Sequence, residues 1–317
     1  MKLAPKLVRI LGFSEESESN KFLYLICIIY LVALSLFMLW HRMWFSPDQF
    51  LIAAVVAALI LGKFGQFVKD WVPFVLLFLG YEALRGLAPI LNKNVHITEM
   101  IQADKFIFGF LPTIRLQELL FYPGQPQWYD FVAIILYMSH FIMPMVTAFV
   151  FWLLDKKTFR EFTWALIILS FAGFITYVLY PAMPPWLAAN QGYLPPLEKI
   201  MDATIANLAN PIALPTVYKL FRGDEVAAMP SLHAAYPILI ALFFVRKFRL
   251  SALLTVPYVA TVWFAVVYLG EHYVIDVIFG ALYALIVFLL VTKKDYLLSK
   301  LRVLKNETRA ETSKAQT

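Results

Sequence analysis

His272 and Asp276 stand four residues apart in the stretch Gly270-Glu271-His272-Tyr273-Val274-Ile275-Asp276. On a helix that spacing puts both side chains on one face. A carboxylate so placed accepts a proton from one imidazole nitrogen, fixes the tautomer and leaves the other nitrogen free to attack an electrophile. A second stretch, Met229-Pro230-Ser231-Leu232-His233, offers Ser231 as a helix N-cap. A helix start presents free N–H groups and a positive dipole end to an anion, so His233 in its first turn would stand beside a bound phosphate. Two other uses of these side chains stay open. A His-x-x-x-Asp pair can be a structural hydrogen bond, and two histidines with an aspartate can be metal ligands, although the anion-cradling helix start has no part in a metal site. Cys27 is the lone cysteine, which excludes an intrachain disulfide and a thiolate metal cluster.

The elements that must carry these residues are written in the composition. The chain has 317 residues, 61% hydrophobic and 15% charged, with a mean hydropathy of +0.72. A soluble domain carries about 25% charged and about 45–50% apolar residues. A water-soluble globular enzyme, a disordered scaffold and a collagen-like fibre are therefore excluded. The expected fold is an all-α polytopic membrane bundle. Crossing a hydrocarbon core of roughly 30 Å takes about 20 helical residues. Eight runs qualify: 22–40, 50–62, 71–81, 131–154, 162–182, 226–245, 250–270 and 273–292. The second and third reach full length by including Lys63 and Glu82, whose side chains snorkel, and Pro230 delays the sixth helix until Ser231. No small-residue cleavage site follows the first run, which reads as a retained anchor.

With eight spans, segments 1–21, 63–70, 155–161, 246–249 and 293–317 share one side and hold 19 of the 27 Lys and Arg residues. The other side holds 8. Cationic loops mark the cytoplasmic face, so both termini are expected there. The net charge of +6 belongs to this bias, and no basic stripe with interleaved aromatics suggests nucleic acid as a partner. The expected organisation is a cytoplasmic segment 1–21, one transmembrane catalytic domain 22–292 and a basic cytoplasmic tail 293–317, disordered from about Asn306. His233, His272 and Asp276 then share the outer, extracytoplasmic face, and His140 lies within the fourth span, entered from that face. Ionisable groups at membrane depth cost several kcal/mol and are functional candidates by default. Of the outer segments, 99–122 reads as short amphipathic pieces lying in the interface. Segment 183–225 is rich in Pro and Ala, with Trp186 and Tyr193 as interfacial anchors.

At these motifs the chain resembles the type 2 phosphatidic acid phosphatase superfamily, whose members share a Pro-Ser-x-His and a later His-x-x-x-Asp motif. Within it the sequence is similar to the inositol phosphorylceramide synthase-like branch. The likeness is carried by Met229–Ala235, by Tyr268–Asp276 and by the Pro-Pro-Trp segment within Tyr180–Trp186. Tyr137-Met138-Ser139-His140-Phe141, Leu111-Pro112-Thr113 and Tyr81–Arg85 are similar to earlier branch motifs, so the core motifs run from about 80 to 292. The general superfamily's Lys-x6-Arg-Pro motif is absent, and Val266 stands where an arginine precedes the nucleophilic histidine by six residues. The branch lacks that arginine too.

The resemblance implies a six-helix membrane core within the spans and a phosphotransferase needing no metal or organic cofactor. His272, oriented by Asp276, would attack the phosphorus of a lipid phosphodiester and form a phospho-histidine. His233 would protonate the departing oxygen and then deprotonate the incoming hydroxyl. An imidazole pKa of about 6.5 suits both duties. Its partners would be a membrane phospholipid donor, with phosphoinositol as a candidate headgroup, and a lipid hydroxyl acceptor. Substrate contacts would come from Ser231, Tyr137 and His140. Arg85, Lys219 and Arg222 are the candidate cationic partners that a phosphate needs once the usual clamp is gone. A hydrolase passing the phosphate to water would use the same histidines, and a non-catalytic transporter or scaffold would keep them as a relic.

Overall fold

The computed structural model describes residues 47–206 and 225–293. The expected span 22–40, the tail beyond 293 and the loop bearing Lys219 and Arg222 lie outside the described residues. Within them the chain is helical, with only isolated bridges of extended backbone. The helices are α1 (Pro47–Ile60), α2 (Phe64–Arg85), α3 (Ala88–Leu91), α4 (Thr98–Phe108), α5 (Pro112–Leu120), α6 (Trp128–Leu154), α7 (Lys156–Leu179), α8 (Pro185–Asn190), α9 (Ile200–Ala206), α10 (Leu232–Lys247), α11 (Ala252–Tyr268) and α12 (Val274–Thr292). Four described helices, α6, α7, the α11 segment and α12, are long and apolar enough to cross a membrane. Exposed leucines and isoleucines such as Ile135, Ile175, Leu254 and Leu290 cover their flanks, the surface a bilayer would cover.

Local chemistry sets the helix ends. α6 opens with a capping box in which Asp130 Oδ2 accepts from the Gln127 N–H at 2.7 Å. Asp155 caps α7, accepting from the Lys157 N–H at 2.9 Å, and also receives Lys247 Nζ from the end of α10 at 2.6 Å. Those hydrogen bonds outweigh partial burial and hold the Asp155 carboxyl down to about 2.

α10 is the central helix, packed against α6, α7, α11 and α12. One end of the core is aromatic: Trp71 and Phe67 of α2 lie against Phe149 and Trp152 of α6 and Phe159 of α7. α2 starts earlier than the 71–81 run suggests and takes Lys69 and Asp70 into the helix. The reason is a partner that hydropathy does not show: Asp70 Oδ2 accepts from Trp152 Nε1 and Lys156 Nζ, each at 2.8 Å.

The connections at the end of the bundle that bears Ser231 are stitched together. His96 N–H donates to the Pro181 carbonyl, Ala182 N–H to Val226 and Ala228 N–H to Ala182, so three separate segments meet just before Ser231. Two glycines then fix the site. Gly270, at φ +83°, makes the turn into His272 in a left-handed conformation that favours glycine. Gly280 of α12 has no room for a side chain, since a Cβ there would lie 2.3 Å from the Ser231 carbonyl oxygen.

Candidate active site

Ser231 behaves as its sequence position suggests. Its side chain accepts from the Ala234 N–H at 3.2 Å and caps α10. Its own N–H donates to the Asp276 carbonyl at 3.0 Å. With the close approach at Gly280, this hydrogen bond clamps the start of α10 onto the first turns of α12, and the two histidine motifs meet. His233 Nδ1 lies 3.3 Å from His272 Nε2. On its other nitrogen, His272 Nδ1 faces Asp276 Oδ2 at 3.6 Å, an ion-pair distance rather than a hydrogen bond. That oxygen also accepts from the Tyr273 N–H at 2.9 Å, so Asp276 caps the helix on which it sits. His272 is 5% exposed and Asp276 fully buried.

His233 is held between two flat neighbours from α6. Tyr137 stacks on it with ring centroids 4.2 Å apart, and the His140 ring lies 4.1 Å away. His140 in turn stacks on Tyr236 at 4.5 Å. Tyr137 and His140 are one helical turn apart, so one face of α6 supplies both. Arg85, at the end of α2, pairs with Glu82 at 3.0 Å, and its side chain is 14% exposed. A guanidinium has five N–H donors, more than this one carboxylate contact uses. Arg85 lies within electrostatic range of His140, His233 and Tyr137. The cluster can thus offer a nucleophilic imidazole, a second imidazole for proton transfer, an orienting carboxylate and a cation.

The sequence pattern of the PAP2 superfamily matches residues 101–290, which contain both histidine motifs. The chain belongs to the PAP2 superfamily. It is 27% identical over 244 residues to the phosphoinositol dihydroceramide synthase of Bacteroides thetaiotaomicron, covering 74% of this chain and 78% of that protein. It is 30% identical over 170 residues to the inositol phosphorylceramide synthase of Candida albicans, with 50% of this chain and 34% of that one covered. Over 127 residues it is 28% identical to the catalytic subunit of the Saccharomyces cerevisiae inositol phosphorylceramide synthase, covering 37% and 30% of the two chains. No solved structure matches. The inositol phosphorylceramide synthase-like resemblance therefore holds, and the chain is a membrane-embedded enzyme of the superfamily's phosphotransferase kind.

Several residues of this PAP2 superfamily site were not apparent from the motifs. Asp104 of α4 is fully buried and accepts from the Val274 and Ile275 N–H groups at 3.0 and 2.9 Å. It satisfies free donors at the start of α12, directly after the turn that carries His272. Burial pushes its carboxyl above the usual range, and the two hydrogen bonds pull it back. In sequence it reads as one more charge of an interfacial segment. Thr113 donates to the His272 carbonyl at 3.4 Å. Gln117 donates to the Tyr268 and Glu198 carbonyls at 3.0 and 2.9 Å, bracing the turn at Gly270. The only signal for Thr113 was its short Leu-Pro-Thr motif. Trp186, read as an interfacial anchor, is half-buried beside that turn, its backbone N–H donating to the Gly270 carbonyl at 3.1 Å.

Proposed function

We propose that this protein moves a phosphoinositol headgroup from a phospholipid to the hydroxyl of a second lipid through a phospho-histidine on His272. The observation that carries the reading is the meeting of His233 Nδ1 and His272 Nε2 at 3.3 Å with Asp276 behind His272. The three relatives, all named as synthases of inositol-phosphorylated ceramides or dihydroceramides, support headgroup transfer over hydrolysis.

In the first half-reaction His272 Nε2 forms a bond to phosphorus. The ester bond to the diacylglycerol oxygen breaks, and His233 in its protonated form gives that oxygen a proton. In the second, His233 takes the proton of the incoming hydroxyl, whose oxygen bonds to phosphorus as the bond to His272 breaks. Asp276 stabilises the imidazolium character that His272 gains on attack. Arg85 and the N–H groups at the start of α10, beside Ser231, hold the non-bridging phosphate oxygens. Tyr137 and His140 keep the His233 ring in orientation. One catalytic domain carries all of this. The site works at the extracytoplasmic face, a side supported by the bias of 19 against 8 cationic residues.

The test uses purified protein in liposomes containing headgroup-labelled phosphatidylinositol, with and without ceramide or diacylglycerol analogues. Label appearing in a new phosphodiester lipid supports transfer and identifies the acceptor. Label released only as inositol phosphate means that water is the acceptor.

A further inference from the structure

Glu271 sits between the Gly270 turn and the nucleophile, and the reaction described above gives it no duty. Its side chain is only 9% exposed, yet Oε1 has no hydrogen-bond partner among the described residues. A desolvated acceptor left unbonded is costly and calls for a donor. The neighbours define a wall. Trp186, whose backbone N–H donates to the Gly270 carbonyl, stands beside Glu271, and Lys199 and Asp202 lie within electrostatic range. Lys199 Nζ stands 4.5 Å over the Trp186 ring and 3.4 Å from Asp202 Oδ2. Tyr137, stacked on His233, lies within electrostatic range of Glu271. Glu271 therefore borders the cluster, within electrostatic range of both Tyr137 and His272.

We propose that Glu271, Trp186 and Lys199 form the subsite for the donor's headgroup, with Glu271 Oε1 accepting hydrogen bonds from hydroxyls of a neutral polyol attached to the phosphorus that His272 attacks. This assignment rests on the phosphotransfer reading. The chemistry of the wall selects the class. It carries both signs of charge, so an ammonium headgroup would meet Lys199 and an acidic one Glu271. A polyhydroxylated ring donates to the carboxylate, accepts from the ammonium and lays its C–H face against the indole. Such a site, a few fixed polar groups on an apolar wall, orients a ligand and rejects one lacking the hydroxyls. Burial also pushes the Glu271 carboxyl above its ordinary range, and in either protonation state it can bond a hydroxyl.

The experiment is calorimetric titration of the purified full chain with inositol 1-phosphate, glycerol phosphate, phosphoethanolamine and inorganic phosphate, repeated on Glu271→Gln, Glu271→Ala and Trp186→Phe. Wild type should bind inositol 1-phosphate about tenfold to a hundredfold more tightly than inorganic phosphate, the range expected for hydrogen bonds to a charged acceptor. Glu271→Ala should erase that preference while keeping the affinity for inorganic phosphate, which shows that the variant is folded. Glu271→Gln and Trp186→Phe should each lose part of it. A preference that survives in Glu271→Ala overturns the proposal, as does a wild type that binds phosphoethanolamine best or shows no preference. Binding needs no turnover, so the two claims fail separately. A polyol preference without lipid transfer would refute the reaction alone; transfer by Glu271→Ala at unchanged KM would refute the subsite alone.

Discussion

Replacing Gly280 with alanine puts a methyl carbon 2.3 Å from the Ser231 carbonyl oxygen, where ordinary contact begins near 3.4 Å, so the backbones of α10 and α12 must part by about 1 Å. Overpacking of this kind costs about 1–3 kcal/mol, while alanine in a helix interior regains about 1 kcal/mol over glycine. The net is a loss of up to about 2 kcal/mol, to which the opened Ser231–Asp276 hydrogen bond adds, so the melting temperature should fall by several degrees without loss of the fold. Activity has no such compensation. The displacement opens the hydrogen bond from Ser231 to Asp276 and moves His233 away from His272, and a shift of about 1 Å can lower a rate roughly 100-fold. Gly173→Ala is the control, because there the new methyl meets the Leu232 side chain, at 3.0 Å, which can rotate aside. The assay is headgroup transfer in liposomes beside thermal unfolding of all three proteins. Gly280→Ala should lose most of its turnover while remaining folded, and Gly173→Ala should stay near wild type. A Gly280→Ala variant with the wild-type rate would refute the idea that this contact registers the two motifs.

Asp104→Ala leaves the partly buried N–H groups of Val274 and Ile275 without their acceptor, a loss of about 1–3 kcal/mol in stability, read as a lower melting temperature together with slower transfer. Arg85→Lys keeps a charge beside Glu82 but loses the forked donors, so kcat/KM should drop about tenfold or more with little change in unfolding. Arg85→Ala should in addition unfold more easily, since Glu82 would be a buried charge without its partner. For Asp155 the sign follows from a folded-state value of about 2, below the ordinary value of about 4. Its ion pair with Lys247 therefore adds stability above pH about 4, lost as the pH falls toward about 2. The melting temperature of wild type should exceed that of Asp155→Asn at pH 7, with the gap closing between those two pH values.

The candidate site was legible because its chemistry is local. Four residues separate His272 from Asp276, and Ser231 stands two before His233, so a one-dimensional pattern already implies a shared face and a capped helix start. Helix identity was equally plain in the apolar runs at 131–154, 250–270 and 273–292. What escaped depends on contacts across the fold. Asp104 acts on a helix start 170 positions later, and its neighbours in sequence give no hint that it is buried. Asp70 entered α2 because Trp152 and Lys156 receive it, which hydropathy cannot register. Gly280 looked like one more small residue in a membrane helix until the Ser231 backbone was found against it. Glu271 is adjacent to His272, but only its burial and its unbonded oxygen distinguish it from an ordinary loop carboxylate.

The central claim is that His272 carries the phosphoryl group between two lipids. Its most direct test is rapid quenching of the enzyme with a phosphatidylinositol donor and no acceptor, under alkaline conditions that preserve phospho-histidine, followed by peptide mass spectrometry. The account predicts a phosphoinositol adduct on the peptide containing His272, absent in His272→Ala and discharged when acceptor lipid is added. Full turnover with no adduct on that peptide at any quench time, or an adduct that persists in His272→Ala, would contradict it.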